Sequence, residues 1–437
     1  MFLLDMYITM SGMNTGHGSS RWTGEAIQHS VPIPDDPNNS KLASTCYLKC
    51  TRTHCVVQID DVIHVYRLQD FLLTHSFQLP QGHSVADFDL DNDLLAIVFF
   101  DGDLHIWDLL DYKCAVVNLK DATLDYDAEV LPSAISFLKA GPIELGSNGL
   151  TGTSIWPQEP TVVIQDRPFD RNGAFWIWRL HRSDKEYVSP RPSFLRRIHT
   201  GIGAGFFKAS GKTVATGCDD CTVRLWNLMT GDCDWVLIGH SRPVRQLCLD
   251  QSNVYSGSED GTIRIWDIHS GRCLSVLNPH LGRVATLTCS STHIMSCHLN
   301  RHSRKKVHII LWDIRSGDLV HNVDDSRQLS WPESQMVIDD YKMVVGGVDL
   351  SADEARFTVL DIRSGDLIDY FGTNGTTRVK GFASTNQFCV ALIQRRGVYS
   401  LDVWDLRNYV QHYSSDVQSQ DIQLADARKN TNAQDRG

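Results

Sequence analysis

One short pattern recurs eight times along the chain: an alternation of apolar residues that closes on an aromatic residue in seven cases and is usually followed by an acid. The closing residues are Tyr66, Trp107, Trp178, Trp226, Trp266, Trp312, Leu360 and Trp404. Alternation with a period of two is typical of a half-buried β-strand. The chain is therefore expected to repeat one small unit that is built from strands.

The spacing of the pattern indicates which kind of repeat this is. Successive closing residues are 41, 71, 48, 40, 46, 48 and 44 residues apart. Most of these intervals lie near the roughly 40 to 45 residues of a four-stranded propeller blade, and the longest requires an insertion. We therefore predict an all-β chain that folds as a β-propeller, with eight blades, or with seven if one pattern lies in a loop.

Two neighbouring units align without a gap at an offset of 40 residues, so that VATGCDDCTVRLW (214–226) lies over VYSGSEDGTIRIW (254–266). These units resemble WD repeats. In that family a His before the first strand, a Ser or Thr on the second strand, an Asp in the next turn and the Trp form a hydrogen-bonded tetrad. The resemblance implies this structural role for His240, Ser256, Asp260 and Trp266. Such groups can satisfy one another when buried, because the indole only donates whereas the hydroxyl also accepts.

The tetrad pattern is complete only in the unit of Trp266. The preceding unit keeps Thr216 and Asp220 but has Thr200 in place of the His. In the second unit, Ile97 stands where the hydroxyl is expected. The last three units have Lys306, Glu354 and Val398 in place of the Asp, so they are expected to depend more on packing.

Composition divides the chain into three parts. Residues 11–41 are rich in Gly, Ser, Pro, Asn and Asp, so residues 1–41 are expected to form a loose lead-in, and residues 42–413 the propeller. Residues 414–437 contain few apolar side chains, and we expect a disordered tail. The ring can close in two ways: a strand within 25–33 joins the last blade, or residues 409–413 complete that blade alone.

Charge and cysteine content narrow the function classes. With 41 basic and 52 acidic residues the net charge is −11, which argues against general affinity for nucleic acid or acidic membranes. The twelve cysteines follow no framework spacing, so free thiols in a reducing compartment are expected. Residues 1–10 are apolar but fit neither a signal peptide nor a membrane anchor. The expected location is cytoplasmic, nuclear or both.

The sequence offers little chemistry for an enzyme. Cys218 and Cys221 form a CxxC that supplies two of the four ligands of a structural zinc site. The other cysteine cluster, near residue 50, falls on two predicted strands whose alternation points its side chains in different directions. No catalytic or phosphate-binding motif is present. We therefore expect no catalytic residues, no metal, no cofactor and no small-molecule substrate.

Two cations occupy equivalent positions after a Val at the start of their units, Arg245 in GHSRPVRQL and Lys380 in TTRVKGF. The first segment resembles the substrate-reading blades of F-box/WD-repeat proteins, in which an Arg there faces the channel mouth and pairs with phosphorylated peptides. Arg242, Arg283 and Arg378 would add positive charge nearby. A further basic stretch, NRHSRKK (300–306), contains Arg301, Arg304, Lys305 and Lys306.

These features predict a non-enzymatic protein–protein interaction module. The resemblance implies the substrate-recognition propeller of an SCF-type ubiquitin ligase that reads an acidic or phosphorylated peptide, with a ligase adaptor as a partner. An F-box module itself is not evident in the sequence. The alternatives are a scaffold subunit of a multiprotein complex and, less favoured by the net charge, a nucleic-acid-associated protein that uses the basic loop 300–306.

Overall fold

The computed structural model describes residues 21–23, 26–34, 46–80, 83–91, 93–110, 112–119, 132–137, 161–166, 174–181, 191–199, 204–278, 282–299, 307–325, 335–339, 341–349, 354–373, 378–395 and 398–412. The predicted disordered tail, 414–437, lies outside these residues. Nowhere in the described part of the chain is there a helix that is long and apolar enough to cross a bilayer.

The strands form eight four-stranded antiparallel sheets, which we number as blades 1–8 in the chain order of their inner strands. Two strands precede the first blade: β1 Arg21–Thr23 and β2 Ile27–Pro32. Blade 1 contains β3 Cys46–Cys50, β4 His54–Ile59, β5 Val62–Arg67 and β6 Leu72–Gln78. Blade 2 contains β7 Val85–Asp91, β8 Leu94–Phe99, β9 Asp103–Asp108 and β10 Cys114–Asn118. Blade 3 contains β11 Pro132–Phe137, β12 Thr161–Asp166, β13 Ala174–His181 and β14 Arg191–His199. Blade 4 contains β15 Ala204–Ser210, β16 Thr213–Cys218, β17 Thr222–Asn227 and β18 Cys233–Ile238.

The second half of the ring repeats this order. Blade 5 contains β19 Val244–Leu249, β20 Asn253–Ser258, β21 Ile263–Asp267 and β22 Cys273–Leu277. Blade 6 contains β23 Val284–Cys289, β24 His293–Leu299, β25 Val307–Asp313 and β26 Leu319–Asp325. Blade 7 contains β27 Gln335–Ile338, β28 Lys342–Asp349, β29 Glu354–Asp361 and β30 Leu367–Gly372. Blade 8 contains β31 Arg378–Ser384, β32 Phe388–Arg395 and β33 Val398–Asp405, with β2 as its fourth strand. The eight recurring patterns lie on the third strands of the eight blades, so the prediction of an eight-bladed propeller is confirmed.

The ring closes through its N-terminal strand. β2 lies beside β33 as the outer strand of blade 8, and the amide of Ile33 donates to the carbonyl of Tyr399 at 3.1 Å. The hydroxyl of Ser30 donates to the buried carboxylate of Asp402 at 2.9 Å. Of the two closures that the sequence left open, this is the first.

The other predicted closing segment has a different partner. β34, Val410–His412, pairs antiparallel with β1 in a two-stranded sheet, with Trp22 opposite Gln411. Met1–Ile27 and Asp405–Gly437 form one compact unit, and Gln28–Trp404 form another. The predicted boundaries at residues 41 and 413 stay predictions.

The closing residue of each third strand packs against the preceding blade. Trp266 lies in one apolar cluster with Val223 and Leu225 of blade 4, and Trp312 lies in one with Tyr255 and Ile265 of blade 5. These residues are almost fully buried. Burial of such large side chains stabilises the contact between neighbouring sheets.

Two further tryptophans differ in their burial. Trp107 is only partly buried and stacks on Phe77 at a ring distance of 4.1 Å. Trp176, which the pattern did not single out, is fully buried on the third strand of blade 3.

An Asp or Asn follows six of the eight closing residues and organises the next turn. The side-chain oxygen of Asp313 accepts hydrogen bonds from the amides of Arg315 and Ser316 at 2.9 and 2.8 Å. Asn227, Asp267 and Asp361 cap the corresponding turns in blades 4, 5 and 7. This local Asx-type capping is the physical reason for the acid in the recurring pattern.

In blades 1, 2, 5, 6 and 7 this turn also contacts the outer strand of the preceding blade. Gly271 has a φ of +66°, and a Cβ on it would stand 2.6 Å from Cδ2 of Trp235 in β18. In blades 1 and 2 the same left-handed position holds Phe71 and Tyr112, at φ values of 59° and 58°. Their rings stack on imidazoles of the preceding blades, at 4.2 Å for His29 and 4.3 Å for His75. At these contacts a glycine leaves room for a side chain of the preceding blade, or an aromatic ring stacks on a His.

The expectation that all cysteines are free thiols is wrong for one pair. Cys248 and Cys289 form a disulfide between the inner strands of blades 5 and 6, with their Cα atoms 6.4 Å apart. Alternation places Cys248 on the side of Gln246, which donates to the carbonyl of Ala285 in blade 6. Cys289 lies on the side of Leu287, which packs against blade 5. The inner strands of the two blades begin 40 residues apart, at Val244 and Val284, but the cysteines are 41 apart, so their side chains point toward each other. The other ten cysteines are free.

We predict that Gly271→Ala destabilises the protein through both the left-handed backbone, which costs roughly 1–2 kcal/mol for a residue with a Cβ, and the contact with Trp235. Trp235→Ser in the same chain should restore part of the loss, because it removes the ring that the new Cβ meets. Ser275 is the residue that faces Gly317 at the next blade contact. The measurement is a double-mutant cycle of urea unfolding. Strictly additive free energies would contradict the interlocked contact.

Candidate functional site

The four tetrad residues meet at one end of blade 5, which we call the tetrad face. Trp266 donates its indole N–H to Oγ of Ser256 at 2.8 Å, and that hydroxyl lies 2.8 Å from Nε2 of His240. Nδ1 of His240 lies 2.9 Å from the carboxylate of Asp260. With a neutral imidazole these bonds form one chain of donors, from indole to hydroxyl to imidazole to carboxylate. The structure thus brings together the set that the sequence placed in four separate segments.

The electrostatics fit a neutral imidazole. Burial lowers the pKa of His240, and the hydrogen bond and charge of Asp260 only partly oppose this effect. Burial on its own would raise the pKa of Asp260, but hydrogen bonds from Thr262, Ser241 and His240 lower it to about 2. The positive charge of Arg264 also disfavours protonation of His240. The site therefore holds a neutral imidazole and a carboxylate at neutral pH.

Other blades contain parts of the same network. In blade 4 the indole of Trp226 donates to Thr216 at 3.1 Å, and in blade 6 that of Trp312 donates to Ser296 at 3.1 Å. The sequence reading missed Ser296, because the unit lacks the acid at Lys306 that would have marked it. In blade 2, where Ile97 replaces the hydroxyl, the buried indole nitrogen of Trp107 has no hydrogen-bond partner among the described residues.

A group of potential metal ligands in blade 2 has the same origin. Donor atoms of His83, Asp101 and Asp103 lie within 4.8 Å of one another. His83 and Asp101 occupy the His and Asp positions of the tetrad, and they contact each other as His240 and Asp260 do. This group is therefore an incomplete structural tetrad of blade 2.

Arg245 is held by two carboxylates. Its Nε donates to Glu259 of the same blade at 2.9 Å, and its Nη1 donates to Asp219 of blade 4 at 2.6 Å. The guanidinium therefore bridges the turns of two neighbouring blades on the tetrad face. The two carboxylates offset the charge of Arg245 and would repel a phosphate that approached it.

The remaining predicted cations are distributed around the ring. Arg242 is exposed in the connection from β18 to β19, Arg283 is exposed in the connection from β22 to β23, and Lys380 is half-buried on β31. Arg378 begins β31, but its side chain lies outside the described residues, as does the whole basic loop with Arg301, Arg304, Lys305 and Lys306. Arg242, Arg283 and Lys380 belong to three different blades.

Comparison with known proteins agrees with this geometry. The family model WD40, described as WD domain, G-beta repeat, matches residues 198–227 and 231–267, the part of the chain that forms blades 4 and 5. The chain is an eight-bladed propeller that carries WD40 repeats. The crystal structure of the computationally designed Ika8 protein is similar to this propeller, with a TM-score of 0.57, 18% identity, and coverage of 82% of this chain and 95% of that one. At that identity the likeness concerns the fold alone.

A curated protein is similar over a shorter stretch. The nuclear distribution protein nudF 2 of Aspergillus clavatus is 31% identical over 80 residues, which are 18% of this chain and 18% of that protein. The chain therefore matches less than a fifth of the length of this relative.

We predict that Trp266→Phe destabilises the propeller by about 1–3 kcal/mol more than Trp107→Phe does. Only the first substitution removes an existing hydrogen bond, the one that the indole donates to Ser256. Both substitutions remove a similar area of ring. The measurement is the free energy of unfolding in urea for each variant. Equal losses would show that the tetrad hydrogen bond adds nothing to packing.

The tetrad also predicts a pH dependence. Because the folded-state pKa of His240 is below its usual 6.5, the folded protein resists protonation there, and stability should fall as the pH drops below about 6.5. Asp260, with a pKa of about 2, adds stability that is lost only at more acidic pH. Thermal unfolding from about pH 7.5 to about pH 5.5 should show a steeper loss for the wild type than for His240→Gln. Identical slopes would contradict the neutral imidazole.

Proposed function

We propose that this protein is a non-enzymatic protein–protein interaction module. The observation that carries the proposal is that the polar side chains of the tetrad are buried and hydrogen-bonded to one another. Ser256 is fully buried and bonded to two tetrad partners, and the side chains of His240 and Asp260 are 1% and 8% exposed. A substrate atom could not reach this Ser, His and Asp set, and a nucleophile must be accessible to act. What the ring offers to other molecules is its surface.

The tetrad face is the first candidate for partner binding. Arg242 is exposed there without an ion-pair partner among the described residues, and Arg283 and Lys380 present further cations on blades 6 and 8. An acidic or phosphorylated peptide would form charge-assisted hydrogen bonds with these groups. Since Arg245 is already paired, Arg242 is better placed to read such a peptide. Substrate recognition in an SCF-type ubiquitin ligase, with the ligase adaptor as a second partner, is the specific role that we propose for this face.

A scaffold role in a multiprotein complex is the main alternative, and association with nucleic acid through residues 300–306 is another. A nucleic-acid ligand would show a steep dependence of affinity on salt, because phosphate contacts release counterions. A protein partner held mainly by packing would not. The identity of copurifying proteins separates the ligase role from the scaffold role.

We predict that Arg242→Glu weakens partner capture at least about tenfold, because a desolvated charge-assisted hydrogen bond contributes roughly 1.5–3 kcal/mol. The matched control is Arg272→Glu, which reverses an exposed Arg of the same blade at the opposite end of the sheet. The measurement is quantitative affinity purification of both variants with mass spectrometry, with melting curves to verify folding.

Loss of a cullin-associated adaptor and its substrates with Arg242→Glu alone would support the ligase role. Equal capture by both folded variants would place the partner site away from the tetrad face.

A further inference from the structure

Two arginines at equivalent positions of neighbouring blades have different partners. Arg224 on β17 donates to Asp220 of its own blade at 2.8 Å. Arg264 on β21 is the residue 40 positions later, and Asp260 is the corresponding acid. In blade 5, however, that acid is already bonded to His240 and to the Ser241 amide and Thr262. Blade 4 has no His to compete for its acid, so the completed tetrad is what separates Arg264 from a carboxylate.

The surroundings of Arg264 leave its guanidinium undersatisfied. Its Nε is buried without a hydrogen-bond partner, and Nη1 lies 3.7 Å from Sγ of Cys273, a weak acceptor. The guanidinium carbon lies 5.9 Å from the ring centre of Trp266. A Cβ on Gly239 would stand 2.8 Å from Nη1, so the glycine leaves room for the guanidinium. Within the described part of the chain, no carboxylate forms an ion pair with Arg264.

Exposed apolar side chains flank this cation. On β22, Leu274 and Val276 are 59% and 45% exposed, and Val276 lies opposite Arg264 in the strand register. On β18, Trp235 is 40% exposed and covers Gly271 at the contact between the blades. We call the surface formed by Trp235, Arg264, Cys273, Leu274 and Val276 the rim groove. Exposed apolar side chains near a polar group are common at binding sites.

The edge of the groove is also open to strand pairing. β22 is the outermost strand of blade 5 and reads CLSVL, without a charge or a proline. The corresponding strand of blade 6, LVHNVDD, ends in two acids. Charged residues and proline are the usual protection of an edge strand against pairing with another chain. An unprotected edge beside apolar side chains favours the addition of an extended peptide.

We propose that the rim groove binds an extended segment of a partner protein in which an Asp or Glu is flanked by apolar residues. The carboxylate forms charge-assisted hydrogen bonds with the Arg264 guanidinium, which has no ion-pair partner in the described part of the chain. The flanking apolar side chains pack on Leu274, Val276 and Trp235. The site deepens the proposed function, because it assumes that the propeller binds proteins. It shares no residue with the tetrad-face cations, so Arg242→Glu and the variants below can fail independently.

The test uses a phage-displayed library of short linear peptides that is selected on the full-length protein. Enriched peptides are then synthesised, each with its acid and with the amide in its place, and their affinities are measured for the wild type, Arg264→Gln and Arg224→Gln. Arg224→Gln is the matched control, since it removes the paired cation of the neighbouring blade. Leu274→Glu, a substitution at an exposed position, repels an acidic peptide without touching the core. Alkylation of Cys273, followed by mass spectrometry, reports occupancy of the groove.

We expect enriched peptides to share an acid between apolar residues and to protect Cys273. Arg264→Gln, Leu274→Glu and replacement of the peptide acid should each weaken binding at least about tenfold, while Arg224→Gln changes it less than about threefold. The proposal is overturned if no peptide is enriched, if the enriched peptides lack an acid, if they leave Cys273 reactive, or if they bind folded Leu274→Glu as tightly as the wild type.

Discussion

The hydrogen bond between His240 and Asp260 determines how the tetrad of blade 5 is arranged. It fixes the imidazole so that Nε2 faces Ser256, and through that hydroxyl it reaches the indole of Trp266. The indole in turn packs against blade 4. Each polar group in this chain has a hydrogen-bond partner, and a buried group without one would cost free energy. The chain therefore orients the Trp266 indole at the boundary between two sheets. The same bond takes Asp260 away from Arg264 and so sets the charge of the outer rim.

The ring as a whole depends on one direction of packing that every blade repeats. Each closing residue packs on the blade before it, and in blades 1, 2, 5, 6 and 7 the turn that follows reaches the outer strand of that same blade. β2 supplies the outer strand of blade 8, so this blade has four strands like the others. Between blades 5 and 6 the inner strands are also joined covalently by Cys248 and Cys289. These contacts act at the inner, middle and outer strands, which leaves the two faces and the rim free for other molecules.

Sequence reasoning predicted those features that repeat. The spacing of the closing residues indicated eight blades, and the offset of 40 between two units pointed to the tetrad of blade 5. It failed where a residue departs from its equivalent in the other units. The disulfide was missed because its cysteines are one residue out of phase with the repeat. Phe71 and Tyr112 were missed because a left-handed position normally indicates glycine.

The candidate site was harder to predict than the fold, because pairing of charges depends on neighbours from other blades. Arg245 was predicted to face a ligand, yet Asp219 of blade 4 reaches it across the blade boundary. Arg264 looked like an ordinary residue of its strand, and only comparison with Arg224 shows that its acid is engaged elsewhere. A single sequence shows which residues are equivalent, but not which of two possible hydrogen-bond partners a carboxylate will bind. Burial and the hydrogen bonds already made decide that choice.

The most direct test of this account is the crystal structure of His240→Thr, which gives blade 5 the residue that stands at the equivalent position of blade 4. If the imidazole is what keeps Asp260 from Arg264, the variant should show the Arg264 guanidinium within hydrogen-bond distance of the Asp260 carboxylate, as Arg224 is with Asp220 at 2.8 Å. The carboxylate can keep its bonds to Thr262, because Asp220 bonds Thr222 and Arg224 together. A guanidinium that stays beside Trp266 and Cys273, with Asp260 unpaired from it, would contradict the account.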